Sequence, residues 1–90
     1  MLQQKRLDRR NNIGQEQFAA ILPYISADLV AMIADKQNIT NEEAIIKLYA
    51  SKLYEALENE ETKVWQYSTQ MLYSLYEQEE KNGTIQFPDV

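Results

Sequence analysis

The sequence predicts an all-α fold, a small single-domain bundle of three to four helices with an extended C-terminal tail. Three observations predict it. Ile39-Thr40-Asn41-Glu42-Glu43-Ala44 has the residues of a capping box, with Thr40 and Glu43 three apart and Ile39 and Ala44 placed as a hydrophobic staple. Apolar residues recur at helical spacing in most of the chain. Clear alternation of apolar and polar residues is confined to the tail, Thr84 to Pro88.

The elements follow in order. Residues 1–12 form a polar, basic arm, a frayed helix or a loose segment, and residues 13–90 form the helical domain. Phe18, Ile21 and Leu22 fall at i, i+3 and i+4, which suits a short helix over about 16–22. Gln17 to Leu22 also fits a short strand. Pro23 is expected to end either one, because it disfavours helical geometry at residue 22. Ser26 is a good N-cap for a second helix over about 27–36, with Leu29, Val30 and Ile33 on its buried face. Gln37-Asn38 turns into the third helix, about 41–58. On it Ile45, Ile46, Tyr49, Ala50, Leu53, Tyr54, Ala56 and Leu57 span an arc of roughly 180° at 100° per residue. So broad an arc predicts a central helix with several neighbours. Leu48 lies off that arc and is expected to be exposed. Ser68 caps a fourth helix over about 69–80, with a start at Thr62 as the alternative, and Asn82-Gly83 stops it. Ile85 and Phe87 are expected on one side of the extended tail, 84–88.

Composition excludes much chemistry. There is no histidine and no cysteine, so the usual neutral-pH base, the thiol nucleophile and zinc's preferred ligands are missing. No Gly-rich phosphate loop exists, since Gly14 and Gly83 are the only glycines. The expectation is a protein that is not an enzyme, with no catalytic residues, no cofactor and no metal. No apolar stretch is expected to approach the roughly 20 residues of a membrane span, and no secretory signal is visible. The chain is therefore expected to be cytoplasmic, with no membrane partner.

Charge divides the chain. The net charge is −5, with 26% charged residues. In residues 1–12, Lys5, Arg6, Arg9 and Arg10 stand against Asp8, a net +3. The remainder sets five lysines against thirteen acids, a net −8. Nucleic-acid contact is thus expected only through Lys5, Arg6, Arg9 and Arg10.

Glu77, Glu79 and Glu80 sit near a helix C-terminus, where the dipole disfavours negative charge at about 0.3–1 kcal/mol each. They are either solvated charges or an acidic surface for a basic partner, or for this chain's own arm. Tyr49 and Trp65 are expected in the core. Leu48, Tyr54, Tyr73 and Tyr76 lie on helix flanks, where tyrosine suits an interface. With Glu77, Glu79 and Glu80 they make the candidate protein interface. A homodimer also fits the wide arc of the third helix.

Two resemblances add to this. The first rests on Asp28-Leu29-Val30, Ile39 to Ala44, Leu48 to Tyr54, Glu61 to Trp65, Tyr67-Ser68, Met71-Leu72-Tyr73, Gly83 and Phe87-Pro88. That order resembles a group of short, uncharacterised bacterial helical proteins encoded near mobile-element or toxin–antitoxin-like genes. It implies an accessory protein, antitoxin-like, with no catalytic residues to carry over. The second covers Gln17 to Leu57 and is similar to ribbon–helix–helix repressors, with Asn38-Ile39-Thr40 between two helices. It implies a small DNA-binding regulator. Pro23-Tyr24-Ile25 interrupts that pattern, and Gln15, Gln17, Ala19 and Ile21 lack its basic contacts.

Overall fold

The computed structural model describes residues 13–88, with side chains from Glu16 onward. Four α-helices and two 3₁₀ turns make up the described chain: α1 Ile13–Gln37, α2 Asn41–Tyr49, α3 Lys52–Glu58, turns Glu60–Thr62 and Val64–Gln66, and α4 Thr69–Asn82. No strand occurs among the described residues. The all-α class is as the sequence predicts. The basic arm, residues 1–12, lies outside the described residues.

The first correction concerns Pro23. It lies inside α1, which runs unbroken for 25 residues. Proline removes one backbone donor and crowds the preceding turn, at a cost of about 3 kcal/mol. The offset is visible in the spacing. Phe18, Leu22, Ile25, Leu29 and Ile33 keep one apolar stripe in phase across the proline. Leu29 and Ile33 are fully buried, Phe18 is buried against Trp65, and Leu22 and Ile25 pack on the core. Ser26 is therefore not a cap but a mid-helix residue. The strand alternative for Gln17 to Leu22 falls as well, and with it the ribbon that the repressor pattern requires.

Joining the two predicted segments changes the count of apolar residues. Residues 17–34 carry a single charge, Asp28. Within the 22-residue stretch Glu16–Gln37 an 18-residue window has mean hydropathy 1.6, long and apolar enough to cross a membrane by length and composition. The expectation that no stretch approached such a length is overturned, because it broke the run at Pro23.

α1 ends at Asn38, whose φ of 58° is left-handed, and Ile39 N–H closes the turn on the Ala34 carbonyl at 3.0 Å. That is a Schellman-type end with asparagine in the glycine position. The capping box then forms as predicted. The Glu43 backbone donates to Thr40 Oγ1 at 3.1 Å, and the Thr40 backbone donates to Glu43 Oε1 at 3.0 Å.

The second correction concerns the third helix. It breaks after Tyr49, and Ser51 caps a new helix. Ser51 Oγ accepts from the Tyr54 backbone at 3.0 Å and donates to the Leu48 carbonyl at 2.5 Å, so one hydroxyl holds both sides of the corner. The reason is geometric. In one straight helix, Leu53 and Leu57 would point roughly 180° away from Ala44 and Leu48. The corner lets all four face one core, and all four are fully buried. Leu48, expected outside, is inside. Ile45, Ile46 and Tyr49, expected inside, are exposed at 40%, 69% and 55%.

The centre of the fold moves accordingly. α1 packs on α2, on α4 and on both 3₁₀ turns, while α3 packs on α4. The hub is α1, not the third predicted helix. The Thr62 start for the last helix is excluded by the two 3₁₀ turns. Thr62 Oγ1 donates to the Ala56 and Asn59 carbonyls, and Trp65 Nε1 donates to the Glu60 carbonyl at 2.9 Å. α4 begins at the predicted Ser68 cap, buries Leu72, Leu75 and Tyr76, and ends at Gly83 with φ 77°. In the tail Ile85 packs on the core, whereas Phe87 is 41% exposed.

Candidate interaction surface

The predicted interface does not assemble on the outside. Leu48 is fully buried and Tyr76 is 2% exposed, so neither offers a surface to a partner. Tyr73 is half-buried beside Tyr76, with ring centres 6.3 Å apart. The acids near the end of α4 are largely engaged within the chain. Glu79 accepts the backbone N–H groups of Lys52 and Leu53 at 2.8 and 3.0 Å. Its charge, misplaced at the end of its own helix, sits at the positive end of α3 instead.

Glu80 binds the other side. It accepts Gln37 Nε2 at 2.6 Å and the Tyr76 hydroxyl at 3.0 Å, and it pairs with Lys47 at 3.3 Å. Lys47 also donates to Gln37 Oε1 at 3.1 Å. Partial burial raises the Glu80 pKa, but hydrogen bonds from Gln37, Tyr76 and Lys47 outweigh it, and the net shift is downward. The Tyr76 hydroxyl is raised well above the ordinary tyrosine value, first by burial and then by the hydrogen bond to Glu80. Together these residues tie α4 to α1 and α2. Glu77 stays out of this network. Lys5, Arg6, Arg9 and Arg10 lie outside the described residues.

A different surface takes shape between α1 and α2. An open groove of about 430 Å³ is walled by Leu22, Pro23, Ala27 and Val30 on one side and by Ile45 and Tyr49 on the other. Tyr54 stacks on Tyr49 at its end, with ring centres 4.5 Å apart and planes at 20°. Burial and then the neighbouring Tyr49 raise the Tyr54 pKa. Tyr24 is 74% exposed and Ile21 36% exposed on the same helix.

Ser26 also lines the groove. It is 6% exposed, and its hydroxyl has no hydrogen-bond partner. Tyr54 is close enough to feel it, but no hydrogen bond of normal geometry joins them. An unpaired buried hydroxyl costs about 1–3 kcal/mol.

Two features hide this surface from the sequence. Pro23 carries a stop signal that α1 runs through, and the break at Ser51 turns Ile45 and Tyr49 away from the core that a continuous helix would give them. A usable signal existed in the Pro23-spanning stripe from Phe18 to Ile33.

Among the described residues no three histidine, cysteine or acidic side chains cluster to hold a metal ion. The fold defines a small all-α domain. No family model, curated protein or solved structure matches the chain.

Proposed function

We propose that this protein is a non-enzymatic protein–protein interaction module, and that its docking surface is the apolar groove between α1 and α2. The observation that carries this reading is the exposure of α1. The most apolar window of this helix is only 28% buried. Core helices of soluble domains hide most of such a surface, and large uncovered apolar patches mark contact sites. Insertion of α1 into a bilayer fits less well. Leu29 and Ile33 are fully buried against the other helices, and withdrawing them would open the core.

The partner's chemistry follows from the charge. Asp28 on α1, Glu42 on α2 and Glu58 beside Tyr54 are acidic and exposed. A partner segment with an apolar stripe and a basic border suits these surroundings. An antitoxin-like accessory role, as the first resemblance implies, is one biological setting for such a module.

The test is a comparison of amphipathic helical peptides that share an apolar stripe and differ in border charge. Binding is followed by the fluorescence of Trp65. The basic peptide is expected to bind, the acidic one is not, and Ile45→Lys abolishes the difference. Equal binding of both, or binding indifferent to Ile45→Lys, refutes the proposal.

A further inference from the structure

One polar atom in the groove between α1 and α2 is left over by the fold. Ser26 is more than nine-tenths buried, its hydroxyl has no hydrogen-bond partner, and it lines the groove beside Leu22, Ala27 and Val30. A guest that supplies the missing partner removes the penalty of the unpaired hydroxyl. We propose that the groove seats one side chain of the docking partner, an aromatic ring tipped by a hydroxyl, with the tip on Ser26 and the ring between α1 and α2. The proposal rests on the reading of the groove as the docking surface and names its anchor.

Size and shape suit a ring. The groove holds about 430 Å³, toward the small end of the roughly 300–1,000 Å³ of ligand pockets. Leu22, Pro23 and Val30 face Ile45 and Tyr49 across it, so its walls are mostly apolar. Tyr49 and Tyr54 stack with centres 4.5 Å apart, which puts an aromatic surface at its end. A further ring packs on such a surface offset or edge-on. Tyrosine is also among the residues that concentrate binding energy at interfaces.

Charge selects the tip. Among the described residues, those that line the groove are all uncharged. An ammonium, guanidinium or carboxylate tip would leave water without a counter-charge in the wall. Glu58, exposed and beside Tyr54, further disfavours a carboxylate and leaves the partner's basic residues to the border. A neutral hydroxyl meets neither objection. The hydroxyls of Ser26 and Tyr54 each donate and accept, so a phenol bonds to them in either direction. An indole only donates, and a plain phenyl ring leaves Ser26 unpaired.

Calorimetric titration of the full chain tests this. A set of basic amphipathic peptides carries one tyrosine at each stripe position in turn, and each peptide has a phenylalanine twin. At one position the tyrosine peptide is expected to bind about tenfold tighter than its twin, and in Ser26→Ala that preference should fall to about twofold or less. The phenylalanine twin should bind Ser26→Ala no worse than wild type, which a misfolded chain would not show. Glu77→Gln, outside the groove, should keep the full preference.

Equal binding of twins at every position, or a preference that survives Ser26→Ala, overturns the anchor. The docking reading then stands if Ile45→Lys still weakens both twins. Failure of every peptide to bind removes the docking reading and the anchor with it. If 4-methylphenol alone binds as tightly as the best peptide, the groove is a small-molecule site. If sedimentation shows a two-chain mass that Ser26→Ala returns to one, a second copy fills it. Either result overturns the proposal.

Discussion

The Glu79 carboxylate accepts the backbone N–H of Leu53 at 3.0 Å, and its second oxygen accepts that of Lys52 at 2.8 Å. An acid from the end of one helix thus serves as the cap of another, 26 residues earlier in the chain. Glu79→Ala is expected to cost about 0.5–2 kcal/mol, the range for losing a helix cap. Glu79→Gln keeps an acceptor and should cost less. Urea unfolding of the three chains orders them, and an alanine variant as stable as wild type would remove Glu79 from the cap.

The corner at Ser51 decides which face of α2 is buried, and substitutions read that face directly. Leu48→Ala is expected to cost about 2–5 kcal/mol, as for a buried leucine. Ile46→Ala, at 69% exposure, should change stability by about 0.5 kcal/mol or less. The reverse order would restore the straight third helix.

Pro23 strains α1 without contributing to its core. Its missing N–H leaves the Ala19 carbonyl, on an exposed turn, without a helical donor. Pro23→Ala should stabilise the chain by about 1–3 kcal/mol, less the entropy that proline removes from the unfolded state. Thermal unfolding would show this as a rise of about 4–8 °C per kcal/mol. A lower midpoint would mean that the helix needs the proline's geometry.

Ser26 carries a buried hydroxyl with no partner. Ser26→Ala is expected to leave the single chain as stable or more so, by up to about 1 kcal/mol. A loss of more than 1 kcal/mol would show that the hydroxyl is bonded, with Tyr54 as its neighbour.

Glu80 and Tyr76 set opposite ends of the pH range. The Glu80 pKa is lowered from its ordinary 4.5, so its contribution is present above about pH 4.5 and is lost as the pH falls through the folded value. The Tyr76 pKa is raised above its ordinary 10.0. The folded chain favours the neutral phenol, so stability falls as the pH rises past about 10. Denaturant midpoints against pH should show a shallower acid limb for Glu80→Gln and a shallower alkaline limb for Tyr76→Phe. Limbs identical to wild type would break the link between this pair and the pH response.

Local chemistry was legible in the sequence. Thr40 and Glu43 determined the start of α2, Ser68 the start of α4, and Gly83 its end, because each cap is made by residues a few positions apart. The missing histidine and cysteine likewise narrowed the chemistry without reference to any fold. Tertiary packing decided the rest. Pro23 stays helical because burying Phe18, Leu29 and Ile33 on one face outweighs a local penalty. The third helix breaks because Ala44 and Leu48 could not share a core with Leu53 and Leu57 otherwise. Glu79 and Glu80 found their partners in helices distant in sequence, and the apolar groove exists only where α1 and α2 meet. A cap depends on neighbours along the chain, whereas a face is assigned by whatever the folded chain brings against it.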